Sequence, residues 1–345
     1  MPSNQMTKRT LMTAVVLGLM TTLSVGTPVY AADTAKKKIA LSNNYAGNSW
    51  RQAMLKSWEK NAKDAVAKGI VAAAPSFTTA ENQATEQAAQ VQNLILQGYD
   101  AIVINSASPT ALNGAVKQAC DAGIVVVSFD GIVTEPCAYR IAVDFKKMGS
   151  MQIDYFASRG LKGNLLEVRG LAGVFVDDAI HQGVVSALKQ HPEFKLVGSV
   201  HGNWTQTVAQ KEVAGILSTL PKIDVVATQG GDGFGVAQAF KAAGRPMPVI
   251  FLGNRHDELT WWAEQHKANG YQTMVAISPG ASTFAFWVAQ QVLAGAKVPK
   301  EIELPRTIVT QETLEASLKA TEPGGVVNVE YTQQEVIDLI GKAGK

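Results

Sequence analysis

Ala101-Ile102-Val103-Ile104-Asn105-Ser106-Ala107-Ser108-Pro109 is the stretch that decides the fold class. An apolar, mostly β-branched run ends at a polar cluster and a proline, and a segment of helical period follows as far as Ala122. A short apolar run bounded by turn residues is a strand buried on both faces. The same unit recurs in both directions along the chain. Strands are expected at Ile39–Ser42, Val125–Phe129, Asn164–Val168, Leu196–Val200, Val225–Thr228, Val249–Leu252 and Thr273–Ala276. Helices are expected between them, at Ser49–Lys68, Asn82–Gln97, Phe145–Arg159, Asp177–Gln190, Thr205–Leu220, Gly233–Ala243, Asp257–Ala268 and Ala281–Leu293. This alternation predicts an α/β fold with parallel, doubly wound sheets.

A length of 345 residues with 46% hydrophobic content predicts two such units. A weak internal echo supports two similar halves. Ala119–Gly131 and Ala239–Asn254 each run from a helix end through a glycine to an apolar strand and a polar turn. The expected division is residues 38–139 plus 277–305 for the first lobe and 140–276 plus 306–345 for the second lobe and tail, the chain returning once and so creating hinge strands. The tail carries an amphipathic stretch at Gln333–Ile340, read as packing on the outside of a domain.

At the N-terminus, Lys8 and Arg9 precede an uncharged apolar run from Leu11 to Val25, and Val29 and Ala31 place small residues where a signal peptidase needs them. Residues 1–31 are therefore read as a signal peptide, with the mature chain starting near Ala32. A membrane anchor is the competing reading, but a span needs about 20 apolar residues and this run is shorter. No cysteine stands at the cleavage site to take a lipid. The expected location is the periplasm, with no membrane insertion after cleavage. The mature chain balances 29 basic against 29 acidic residues, so no bulk field attracts nucleic acid. Cys120 and Cys137 are the only cysteines; in an oxidising compartment they invite a disulfide, two buried thiols being the alternative.

Ligands of open parallel sheets sit beyond the carboxyl ends of the strands. Those ends are polar and aromatic here: Ser42–Arg51, Asn105–Pro109, Asp130-Gly131, Asn203-Trp204, Gln229–Asp232, Asn254–His256 and Ser278-Pro279. Amides, carboxylates and Arg fix hydroxyl groups in direction, and indole rings pack on the C–H faces of a sugar. A small neutral sugar or polyol is the ligand class this pattern predicts, with Trp50 and Trp204 as platforms. Either tryptophan could instead fill a core.

Other chemistries fit less well. Gly230-Gly231-Asp232-Gly233-Phe234-Gly235 follows a strand but matches neither phosphate-loop pattern, and reads as a tight turn and helix start. The five histidines are scattered, so no metal site is expected. Asp177-Asp178 caps a helix or binds a cation. No Gly-x-Ser-x-Gly elbow is present, and no catalytic residue or cofactor is assigned. Asp130 and Asp232 could form an acid–base pair, hydroxyl binding being the simpler role.

From Lys38 to about Arg306 the chain resembles the ribose-binding-protein family of type I periplasmic binding proteins. The residues that carry the resemblance are Ile39-Ala40-Leu41 leading into Gly47-Asn48-Ser49-Trp50, Leu94–Asn105, Gly123–Gly131 and, more weakly, Gly170-Leu171-Ala172-Gly173. It implies two lobes closing on a ligand, delivery to an ATP-binding-cassette (ABC) permease, and a monomeric binding protein without enzymatic activity. A sensory module presenting its ligand to a chemoreceptor or histidine kinase is the alternative. Asn48, Trp50, Arg51, Asn105, Asp130 and Trp204 fall on ligand-contact positions, and Asp232, Asn254 and Ser278 stand near others. Gly131 replaces an Arg of ribose binders and Asp178 falls near another, which disfavours ribose itself.

Overall fold

The computed structural model describes residues 33–80, 83–277 and 280–343. The expected signal peptide, the first residue of the helix expected from Asn82, and Ser278-Pro279 lie outside the described residues.

The first half runs β1 (Ile39–Asn43), α1 (Ser49–Ala67), β2 (Ser76–Thr78), α2 (Ala84–Leu96), β3 (Ala101–Asn105), α3 (Asn113–Asp121), β4 (Val125–Phe129) and β5 (Tyr139–Ala142), the short strands β2 and β5 being additions to the expected alternation. The second follows with α4 (Phe145–Ser158), β6 (Gly163–Arg169), α5 (Phe175–Leu188), β7 (Phe194–His201), α6 (Gln206–Leu217), β8 (Val225–Thr228), α7 (Gly233–Ala242), β9 (Val249–Ile250) and α8 (His256–Asn269). The chain then returns through β10 (Val275–Ile277), α9 (Ala281–Leu293), β11 (Glu301–Glu303), β12 (Thr307–Val309), α10 (Leu314–Ala320) and α11 (Gln333–Ala343).

One parallel sheet has the order β11-β5-β4-β3-β1-β2, and a second has β7-β6-β8-β9. Taken from its own first strand, each half has its second strand outside its first and its third on the other side. The switch points therefore lie between β1 and β3 and between β6 and β8, where doubly wound sheets bind ligands.

Both sheets are covered on both faces, which is why their central strands β1, β3, β4 and β8 read as apolar runs. In β1 and β3, Ile39, Leu41 and Val103 pack toward α1 and α9, while Ala40, Ile102 and Ile104 pack toward α2 and α3. In β6 and β8, Leu166 and Val226 face α6, α7 and α8, whereas Leu165 and Val225 face α4 and α5. Alternate residues of a strand point to opposite faces, so one apolar run serves two cores.

Two expectations need correction. The strand expected at Thr273–Ala276 does not extend a parallel sheet: β10 pairs antiparallel with β12. The reason is directional, since β10 leads the chain back to the first lobe and β12 brings it out again. The tail does not stay on the second lobe either. α10 packs on α8, and the backbone of Gly325 and Val327 bonds to His256 and Asn254. Beyond that point Asn328 Nδ2 donates to Ser57 Oγ at 2.6 Å, Lys60 meets Glu330 at 2.7 Å, and Val336 and Ile340 of α11 enter the core of the first lobe. Amphipathicity identified the helix, but not which lobe offered it an apolar groove. Cys120 and Cys137 are joined, closing a loop of sequence separation 17 that contains β4 and Asp130.

Candidate functional site

The carboxyl ends of both sheets open on a common cavity of about 90 Å³. A water needs about 10–15 Å³ of such space, so this volume suits a molecule of monosaccharide size rather than a chain of sugars. Asn48, Trp50, Arg51 and Asp130 come to it from the first lobe, and Trp204, Gln229, Asn254 and Arg255 from the second.

Local structure explains the first-lobe group. Asn48 is the N-cap of α1, its Oδ1 accepting the Arg51 N–H at 2.8 Å. The helix thus begins at Ser49 as expected, and the residue before it is a strongly preferred capping type. Capping occupies the Asn48 carbonyl oxygen and brings the first turn of α1 to the cavity. Met54 and Trp58 on the same helix are buried in the core, whereas Trp50 is only partly buried and faces the cavity. The Arg51 guanidinium lies 5.1 Å from the Trp50 ring centre and 3.1 Å from Asp130 Oδ2.

Asp130 follows β4 with φ +57°, a left-handed conformation that Asp tolerates better than most residues. Asn105 holds it there. Asn105 Nδ2 donates to Asp130 Oδ2 at 3.2 Å, and its Oδ1 accepts the Gly131 N–H at 3.2 Å. Both amide atoms of Asn105 are thus engaged, and the residue stands behind Asp130 instead of lining the cavity as expected. Gly131 has no room for the Arg that ribose binders carry, since a Cβ there would lie 2.3 Å from the Ser106 carbonyl oxygen. Burial pushes the Asp130 carboxyl above the usual carboxylate range, with the Arg51 charge pulling it back. Burial likewise lowers the Arg51 pKa, opposed by Asp130 and Tyr45.

In the second lobe, Asn203 and Trp204 have φ +56° and +53°, and with Asp130 they are the non-glycine residues of positive φ among the described residues. Such backbone costs about 1–3 kcal/mol per residue and persists only when its surroundings enforce it. Arg255 provides part of that enforcement, donating from its guanidinium to the carbonyls of Trp204 and Gly231. Gly170 provides the rest: a Cβ on it would lie 2.2 Å from the Trp204 ring, so the indole lies directly against this glycine. Asp177 braces the loop by accepting from Arg169, Gly170 N–H and Gln229 Nε2 at distances of 2.6 to 3.2 Å. Asp177 and Asp178 are therefore ion-paired to Arg169, and the helix cap is Val174. Asp232 is also displaced from its expected place. It is fully buried beside Arg255 and Glu258 and does not line the cavity. Burial pushes its carboxyl well above the usual range; Arg255 opposes this and Glu258 adds to it.

Residues 39–297 match the family model described as the periplasmic binding protein domain. The chain belongs to this family. It is 26% identical to the ribose import binding protein of Bacillus subtilis over 305 residues, covering 86% of this chain and 96% of that protein. It is 29% identical to the xylitol-binding protein of Mycolicibacterium smegmatis over 188 residues, a match spanning 53% of this chain and about half of that protein, 54%. Among solved structures, an ABC transporter solute binding protein from Thermobispora bispora superposes with a TM-score of 0.83 at 34% identity, covering 90% of this chain and 97% of that one. The family and these relatives are binding proteins. Among the described residues, no helix is long and apolar enough to cross a membrane, and no cluster of His, Cys, Asp or Glu is suited to a metal ion.

Sequence reasoning missed part of this binding protein's cavity. Gln229 and Arg255 lie in the polar strand ends but were not among the expected ligand contacts. Their position after β8 and β9, equivalent to that of Asp130 after β4, was the available signal. Phe145, Met148, Val176 and Ile180 also line the cavity, and an apolar residue at a helix start carries no mark that separates a ligand wall from a core.

Proposed function

We propose that this chain is an exported, monomeric, substrate-binding protein that encloses a small neutral sugar or polyol between its lobes in the periplasm and delivers it to an ABC importer. The observation that carries the reading is the convergence of Trp50, Trp204 and the buried Arg51–Asp130 pair on one monosaccharide-sized cavity at the switch points of two sheets. A charge-assisted pair reads hydroxyls directionally and the indoles pack on C–H surfaces. Relatives named for ribose import and for xylitol binding support that ligand class.

In this reading the lobes turn about the segments that pass between them, and closure brings the Arg51–Asp130 group and the Trp204–Arg255 group onto opposite sides of one ligand. Capture and delivery require nothing more than binding and release, and no covalent step is invoked. Isothermal titration of the mature chain with pentoses, hexoses, tetritols and longer polyols tests the proposal. Saturable binding of at least one is expected; no heat from any of them overturns it. Stimulation of the ATPase of a co-reconstituted permease supports delivery, and response of a receptor kinase instead replaces it with sensing.

A further inference from the structure

The cavity is chemically unequal. One part is polar and buried. Arg51 Nη1, Gln229 Oε1 and Arg255 Nε, each on a residue that lines the cavity, have no hydrogen-bond partner within the protein. Asp130 and Asn254 line the same part, which therefore gathers both hydrogen-bond donors and acceptors, some of them unused by the fold. Another part is a wall of Phe145, Met148, Val176, Ile180 and Ala276. These five side chains belong to or pack against a single apolar cluster between the second sheet and α4–α5, so the wall is continuous. Phe145, Met148 and Ile180 are themselves buried and cannot turn away to offer a polar surface.

A fully hydroxylated sugar makes poor use of that wall. Its ring C–H faces already have Trp50 and Trp204 to pack on, and any hydroxyl set against the wall loses water without gaining a partner. A methyl group in the same place is favoured by the area it buries. We infer that the ligand is a terminally deoxygenated member of the sugar and polyol class, a methylpentose or its alditol. Its hydroxyls lie on the Arg51–Asp130 and Gln229–Arg255 groups, and its methyl end lies on the Phe145–Met148–Val176–Ile180 wall. This inference rests on the proposed sugar or polyol reading of the cavity.

The test compares ligand pairs that differ only at the terminal carbon: L-fucose against L-galactose, L-rhamnose against L-mannose, quinovose against D-glucose, and fucitol against galactitol. Titration calorimetry on the mature chain is expected to find at least one pair in which the deoxy member binds about 10-fold or more tighter, the discrimination one methyl gives in an apolar pocket. Val176→Thr keeps the side-chain shape and adds a hydroxyl; a melting temperature within a few degrees of the parent establishes that it is folded. It is expected to weaken the deoxy member about 10-fold while moving its partner less, narrowing the preference. Equal or tighter binding of the hydroxylated member in every pair that binds overturns the inference. So does binding confined to fully hydroxylated sugars of the wider panel. Either result leaves the sugar-binding proposal standing. Absence of binding by every sugar and polyol overturns both.

Discussion

Arg51 Nη2 and Asp130 Oδ2 are 3.1 Å apart at the cavity surface, with only 11% and 9% of the two side chains exposed. Removing one partner from a buried pair leaves the other charge uncompensated, at a cost of about 3–5 kcal/mol, whereas replacing both with apolar groups costs much less. Asp130→Ala is therefore expected to abolish detectable ligand binding and to lower the unfolding free energy by about that amount. The double replacement Arg51→Met, Asp130→Asn, in which asparagine suits the left-handed backbone and keeps an acceptor for Asn105, is expected to regain most of the stability and little of the binding. Urea unfolding and calorimetry on the single and double variants measure both. Unchanged binding by Asp130→Ala would remove Asp130 from the site.

Gly170 is where Trp204 finds its seat. Gly170→Ala places a methyl group 2.2 Å from the indole, in a backbone conformation that alanine can adopt. Overpacking of this kind costs about 1–3 kcal/mol. The expected result is a shifted tryptophan emission, a stability loss in that range, and ligand affinity reduced at least about 10-fold. Trp204→Ala in the same chain should relieve the stability loss and leave affinity low.

Buried Asp232 and Glu258 give the fold a pH dependence whose sign follows from their environment. Burial raises both carboxyls above their ordinary values, Arg255 opposing in each case. Groups with a raised folded pKa contribute stability that is complete below the unfolded pKa and is lost as pH rises through the folded one. The free energy of unfolding is therefore expected to increase as pH is lowered from about 7 to about 5. The opposite trend belongs to groups such as Asp224, whose pKa is lowered chiefly by its hydrogen bond with Lys222 and whose contribution is lost only in stronger acid. Asp232→Asn should raise stability at neutral pH by about 1 kcal/mol or more and flatten the profile. A steeper profile in that variant would contradict the assignment.

The Cys120–Cys137 bond closes a loop of sequence separation 17 around β4. Loop-closure entropy at this length corresponds to about 3 kcal/mol. The Cys120→Ser, Cys137→Ser chain is expected to melt several degrees lower. Its ligand affinity should change less than threefold, roughly 0.6 kcal/mol, because Asn105 and Arg51 hold Asp130 independently of the bond.

The tail crosses from the second lobe to the first and ends in the core of the latter. Deleting residues 333–345 uncovers the groove that Val336 and Ile340 fill, each of them buried. At about 1.5–3 kcal/mol for each buried aliphatic side chain, the truncated protein is expected to lose about 3–6 kcal/mol in urea unfolding.

The alternation of elements was legible because the central strands β1, β3, β4 and β8 are buried on both faces, so their apolar runs stand out from the 3.6-residue period of the helices, whereas the partly exposed β2 and β11 carry no such run. The strand ends were also legible as the place where a ligand would sit. Which residue at each end faces the cavity was not. Asn105 ends one central strand of the first sheet and Asp130 follows another, yet Asn105 spends its amide on Asp130 and Gly131 while Asp130 turns inward through a positive φ. Asp232 was expected at the ligand and Arg255 was not, yet Arg255 is drawn over Gly231 and Trp204 at the cavity while Asp232 is fully buried beside it.

By itself, then, the sequence determined two doubly wound α/β units with a polar, aromatic rim at their strand ends, since periodicity and composition are local properties that act over a few residues. The tertiary structure decided the composition of the cavity: the Arg51–Asp130 pair, the indole seated on Gly170, the apolar wall from α4 and α5, and the lobe that receives α11. Each depends on groups distant in the chain meeting within a few ångströms, and on loop dihedrals that those same contacts hold in place.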